Sequence, residues 1–237
     1  MFRLFFIESI RKKWNLVRIF LVVPFVQILP VVTLSKYVTN DYTQDLLVSL
    51  FIWGSFYPTF FEIINTRMER FETEKVLDVL LSKYSLTKYN YIEILAINIL
   101  FIPSSLLTIY FIAKAMNISL TAINFILSIP LIIVHNIVIG TFLVSVQIQI
   151  KKYFNKVNLL IDVLYLFVGA VIPLAFFPEW VKILSNLLPI TVLIEYAQTQ
   201  NHWVLLIFLS LICIYFIVGN VILSKSISKF KRMGGSQ

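Results

Sequence analysis

The sequence predicts an all-α polytopic membrane protein with six transmembrane helices and both termini cytoplasmic. Three observations carry this. First, 59% of the 237 residues are apolar and 14% are charged, against about 45–50% and about 25% in soluble domains. Mean hydropathy is +0.88. Second, the apolar residues gather into six runs, each close to the roughly 20 residues that cross a bilayer as a helix. Third, 17 of the 20 lysines and arginines fall in alternate, inner segments, which is the cytoplasmic bias of basic loops. A soluble or disordered chain is excluded by the same figures. Six spans leave short loops and no room for a second folded domain, so 1–237 reads as a single transmembrane domain.

Residues 1–14 come first. Phe2, Phe5, Phe6 and Ile10 recur at helical spacing, with Arg3, Glu8, Arg11 and Lys12 largely opposite. This predicts an amphipathic helix in the inner interface, with Trp14 anchoring its end. Basic residues follow the first apolar stretch and no small-residue cleavage site appears, so no cleavable signal peptide is expected. The spans are expected at Leu16–Val38, Leu46–Ile64, Tyr91–Ala115, Ile123–Ile148, Leu159–Phe177 and Trp203–Leu223.

The second span carries Trp53, Phe56, Tyr57 and Phe60 at helical spacing, with Gly54 and Pro58 among them. Such a surface either packs against other helices and lipid or forms the wall of a binding path. Residues 65–90 make the longest inner loop. Within it Val76, Leu77, Leu80, Leu81 and Tyr84 form one stripe, and Lys75, Asp78, Ser82 and Ser85 lie opposite. The spacing predicts a short amphipathic helix with Thr73 as N-cap and Glu74 in its first turn. That stripe must be buried against the bilayer, the chain's own helices or another protein.

The fourth span holds His135, the one candidate base inside the membrane. It reads either as a proton relay or gate, or as a polar group hydrogen-bonded between helices. A short basic inner loop, Lys151–Lys156, precedes the fifth span. Glu93 and Asp162 lie about one turn inside their spans, where pairing with nearby cations is expected. Residues 173–201 form an outer segment. Pro178 and Glu179 mark the start of one short helix, and Pro189 separates it from a second that runs to Gln198. Both are too short to span and too apolar for water, so they are expected to re-enter the outer leaflet, shielded by protein. Glu195 lies in the second, placed either to meet water or a substrate amine or to pack between helices. Residues 224–237 read as a basic, mobile cytoplasmic tail.

The chemistry is spare. A single cysteine, Cys213, and two distant histidines, His135 and His202, exclude an intrachain disulfide and make a metal site improbable. No P-loop, H-E-x-x-H or G-x-S-x-G occurs, so the chain has no ATPase site of its own and no recognisable catalytic constellation. The net charge of +8 marks cytoplasmic loops and not a nucleic-acid surface.

The order of parts resembles the membrane (permease) subunit of type-2 ABC exporters, the family of drug, antimicrobial-peptide and polysaccharide export. Two segments carry the resemblance. ERFETEKVLDVLLSKYSLTKYNYIEI is similar to the family's E-x-G-T-L-E-x-L-L-x-x-P-x-S-x-x-x-x-x-x-K coupling-helix segment, without its Gly-Thr and its proline. FFPEWVKILSNLLPITVLIEYAQ is similar to the segment before the last span, keeping Phe177, Pro178, Trp180, Pro189 and Glu195, with Leu188 where Asn is common.

The resemblance implies a homodimer of permease chains with two copies of a separate ABC ATPase, which binds the ATP and Mg that this chain does not hold. It implies multidrug or antimicrobial-peptide resistance by export across a bacterial cell membrane. Val76, Leu77, Leu80, Leu81 and Tyr84 would dock on the ATPase, and Trp53, Phe56, Tyr57, Phe60 and Glu195 would border the translocation path. The abundance of Ile, Phe, Tyr, Lys and Asn points to an AT-rich bacterial genome. An ATP-independent immunity-type membrane protein, an intramembrane enzyme and a channel are the competing classes. The spans show no clear ring of polar residues of the kind a channel needs.

Overall fold

The computed structural model describes residues 43–72, 86–149, 163, 167–170, 172 and 174–232. Their regular structure is all helical, with no strand among them. In chain order they form α1 (Thr43–Glu72), α2 (Leu86–Ala115), α3 (Ala122–Gln149), α4 (Glu179–Ser185), α5 (Pro189–Thr199) and α6 (His202–Arg232), with a 3-10 turn at Leu174–Phe176. Four of them, α1, α2, α3 and α6, are long and apolar enough to cross a membrane. The interfacial helix expected over 1–14, the span at Leu16–Val38, the loop at Lys151–Lys156 and about half of the span at Leu159–Phe177 lie outside the described residues. So do Asp162 and the stripe Val76, Leu77, Leu80, Leu81 and Tyr84. The described end of the span at Leu159–Phe177, at 168–170, 172 and 174–177, is turn, bend and 3-10 turn where the sequence suggested continuous helix.

The helices outlast the apolar runs that announce them. α1 continues past Ile64 through Asn65–Glu72, a stretch without Gly or Pro whose Arg, Met and Glu favour helix. α2 begins at Leu86, ahead of the span end at Tyr91. α6 persists through the basic segment to Arg232, where the sequence suggested a mobile tail. Cations in a last turn complement the helix dipole, and the first glycine beyond Leu223 is Gly234.

α3 is the hub. It packs on α1, α2, α5 and most extensively on α6, while α1 also packs on α2 and α5. One main apolar core joins Leu47, Phe51 and Phe60 of α1, Ile109 of α2, Ile132 of α3, Leu193 of α5 and Phe208 of α6. A smaller cluster, Ile63, Ile94, Ile97, Phe101, Val144 and Leu223, continues it. The α3–α6 contact is close because Gly219 has no side chain: a Cβ there would lie 3.2 Å from Phe142 Cα.

The turns obey local chemistry. α2 ends with Asn117 in the left-handed region (φ 55°) and Ile118 N–H on the Ala113 carbonyl at 2.9 Å, the bond pattern that closes a helix C-terminus. Asn201 caps α6 by accepting the Trp203 N–H at 2.9 Å. Pro178 and Pro189 punctuate the segment 173–201 as the sequence suggests. Pro189 opens the second short helix as its first residue, where its missing N–H costs nothing. The two short helices are bent by 100°. α5 is buried on nearly every side. α4 turns Val181 and Ser185 inward and leaves Trp180, Ile183 and Leu184 exposed.

Burial and hydropathy run in opposite directions across the four long helices. Buried residues make up 83% of the span window in α1, 61% in α2, 33% in α3 and 17% in α6, and hydropathy rises in that same order. In water the most exposed helix is the most polar. The reverse order is that of a bundle whose solvent is hydrocarbon.

Candidate functional site: a polar seam in the helix bundle

The interior of the bundle holds a line of polar side chains. α1 contributes Ser49, Ser55 and Thr59, α2 contributes Asn98, Ser104, Ser105 and Thr108, and α3 contributes His135 and Asn136, all buried. Most of the hydroxyls are satisfied within their own helix. Ser49, Ser55 and Thr59 each donate to the carbonyl four residues back, at 2.8, 2.8 and 2.7 Å. Thr108 does the same to Ser104 at 2.9 Å. Such back-bonding is what hydroxyls do where no water is available.

The groups that cannot bond locally join helices. Asn136 lies at the centre. Its Nδ2 donates to Asn98 Oδ1 on α2 at 2.6 Å and to the Ser55 carbonyl on α1 at 3.4 Å. Its Oδ1 lies 3.1 Å from His135 Nδ1. One carboxamide therefore ties α1, α2 and α3 together. Ser105 of α2 adds a second tie, donating to the Phe51 carbonyl of α1 at 3.2 Å. Asn98 Nδ2 is buried without a partner, a spare donor at the same point. An unpaired buried donor costs about 1–3 kcal/mol.

His135 bonds sideways to its neighbour Asn136 and packs its ring on Phe56 with centroids 5.1 Å apart. Among the described residues the bonds between helices at this point are those of Asn136. No group of three His, Cys, Asp or Glu able to hold a metal occurs among the described residues.

The candidate path residues divide. Trp53, Phe56, Tyr57 and Phe60 form one ring cluster on α1, with centroid distances of 5.2 Å for Trp53–Phe56, 5.9 Å for Trp53–Tyr57 and 4.1 Å for Phe56–Phe60. Trp53, Phe56 and Phe60 are buried and Tyr57 is half-buried. Glu195 is half-buried on α5. α5 is held to α1 instead by Gln198, whose Nε2 donates to Ser49 Oγ at 2.8 Å and to the Asp45 carbonyl at 3.2 Å. Glu93 is buried on α2.

Sequence reasoning passed over Asn98, Ser105 and Gln198. The available signal for Asn98 was that it and Asn136 are carboxamides in the middle of apolar runs, where a polar side chain needs a partner on another helix. No family model, no curated protein and no solved structure matches the chain.

Proposed function

We propose that the chain is the permease subunit of an ATP-driven exporter, with six spans and both termini cytoplasmic. It would work as a homodimer with two copies of a separate ABC ATPase and move a hydrophobic or amphipathic substrate out of a bacterial cell. The observation that carries this reading is the broken helix pair ahead of the last span. α4 and α5 are bent by 100°, α5 is buried against α1, α3 and α6, and α4 keeps an exposed apolar face with Trp180. That is the form expected of a re-entrant segment in the outer leaflet. The seam around Asn136 supports the same reading, because alternating access needs contacts between helices that exchange partners.

In this mechanism Val76, Leu77, Leu80, Leu81 and Tyr84 seat in a groove on the ATPase, and closure of the ATPases tilts the spans. Trp53, Phe56, Tyr57, Phe60 and Glu195 border the path only in the state that opens it. The test is co-purification of the intact chain with an ABC ATPase encoded beside it, followed by ATP hydrolysis in lipid. Leu80→Asp with Leu81→Asp should insert normally and abolish substrate-stimulated hydrolysis, because burying the charges costs several kcal/mol of docking energy. Normal transport by that variant, or full activity without any ATPase, would turn the reading toward an ATP-independent immunity-type membrane protein.

A further inference from the structure

The crotch of the α2–α3 hairpin holds a cavity of about 620 Å³. Leu106, Leu107, Tyr110 and Lys114 of α2 and Phe125 and Ile126 of α3 are among its walls. Phe125 is its floor, buried and in ring contact with Phe51 at 5.5 Å. Leu107, Tyr110 and Ile126 are 51%, 52% and 62% exposed, so the cavity opens sideways from the bundle. From Leu106 to Lys114 it follows about 12 Å of helix, ending where α2 ends.

Three physical constraints select the occupant. Water is a poor one, because a bound water needs two to four polar partners and the wall is almost wholly apolar. An empty void is also poor, since its lining loses dispersion contacts. The medium beside an apolar, laterally open slot in a spanning hairpin is acyl chain. The mouth adds a charge. Tyr110 and Lys114 are spaced i, i+4, so they share one face of α2. Both are exposed, and neither has a hydrogen-bond or ion-pair partner among the described residues. An ammonium beside a phenol hydroxyl at the end of an apolar slot suits a phosphate whose own chain fills the slot. A zwitterionic headgroup would bring a second cation against Lys114.

We propose that this cavity binds one acyl chain of an anionic phospholipid, with Lys114 and Tyr110 holding its phosphate. The site needs only that α2 and α3 lie in a bilayer, and it stands whether or not the chain works with an ATPase.

The test uses the full chain in vesicles of equimolar phosphatidylglycerol and phosphatidylcholine, extracted gently, with retained lipids counted by native mass spectrometry. Phosphatidylglycerol should be retained over phosphatidylcholine by about fivefold, the effect of one lysine near an anionic surface. Lys114→Gln should bring the ratio close to one, and Lys114→Arg should keep it. Ile126→Trp, at an exposed position on the mouth, should lower retention of both lipids. Phosphatidylglycerol with six-carbon chains should be lost, and millimolar inorganic phosphate should not displace the long-chain lipid. Circular dichroism of each variant reports its fold. Equal retention of the two lipids by the unaltered chain would overturn the proposal, as would an unchanged ratio in Lys114→Gln or displacement by inorganic phosphate.

Discussion

α1 and α6 are both long apolar helices, yet they sit in the bundle in opposite ways. Of the span window, 83% is buried in α1 and 17% in α6. α1 carries the serines, the threonine and the ring cluster, and turns them inward. α6 presents Leu206, Ile207, Ile214, Phe216 and Ile217 outward. Its exposed hydroxyls do not rely on a solvent partner either: Ser210 donates to the Leu206 carbonyl at 2.8 Å and Ser228 to the Ser224 carbonyl at 2.9 Å. The difference shows how specificity arises where the solvent is apolar. Apolar surface gives no drive to associate there. Helices are told apart by the polar groups they must hide and by how closely their backbones approach. α1 is the most buried and the least apolar of the four, and α6 is the least buried and the most apolar.

The sharpest way to break this comparison is to charge the outward face of α6. Ile214 is 56% exposed near the middle of the span. In water Ile214→Lys would be harmless. In a bilayer it should reduce insertion of α6 by about 2.5–3.5 kcal/mol, readable with a glycosylation reporter on the segment. Unchanged insertion would mean that α6 faces water or another chain's polar surface.

The next effect lies at the seam. Asn136→Leu removes the bonds between helices to Asn98 and Ser55, together with the contact to His135 within α3, and leaves both Asn98 amide atoms unpaired among the described residues. Bonds between helices in membranes average about 0.6 kcal/mol each, and an orphaned buried group adds about 1 kcal/mol. A loss of about 2 kcal/mol is expected in reversible unfolding from micelles. Adding Asn98→Leu should recover roughly half of it, because the orphan is then gone as well.

These two sites differ in how far the sequence discloses them. The four long helices are legible because a run of some twenty apolar residues has one economical structure in a bilayer, and the break between α4 and α5 is legible because Pro178 and Pro189 punctuate it. The helix ends at Glu72 and Arg232 are not, since hydropathy marks the edge of the lipid and not of the helix. His135 stands out as a lone histidine in an apolar run. The Asn98–Asn136 bond does not, because α2 is apolar on nearly every side and no stripe shows which face turns inward. Which carboxamide meets which depends on the rotation of two helices, a property of the packed bundle alone.

A smaller effect separates close packing from lipid contact within α6 itself. A Cβ on Gly219 would lie 3.2 Å from Phe142 Cα and 3.4 Å from Phe142 N. The backbone of α3 cannot yield as a flexible side chain would. Gly219→Val should destabilise the bundle by about 1–2 kcal/mol through overpacking, while Ser210→Val on the exposed side of the same helix should change stability by less than about 0.5 kcal/mol. Equal effects at the two positions would mean that α6 is not seated on α3 through Gly219.

The smallest effect concerns the polar tie that helps hold the broken helix pair α4–α5 to α1. Gln198 reaches from α5 to Ser49 Oγ at 2.8 Å and to the Asp45 carbonyl at 3.2 Å, and α5 is otherwise held by apolar contacts such as Leu193 and Ile194. Gln198→Leu keeps most of the volume and deletes both bonds. Neither acceptor is stranded, because Ser49 still donates to the Asp45 carbonyl at 2.8 Å. The expected loss is therefore only about 0.6–1 kcal/mol, too small to unfold the bundle. Its signature is local: amides of α5 should exchange with deuterium faster, by up to about fivefold, while those around Asn136 keep their protection. Faster exchange at both places would make α5 and the seam one cooperative unit. Unchanged exchange at α5 would assign its seating entirely to the apolar core, leaving the tie to Ser49 without mechanical consequence.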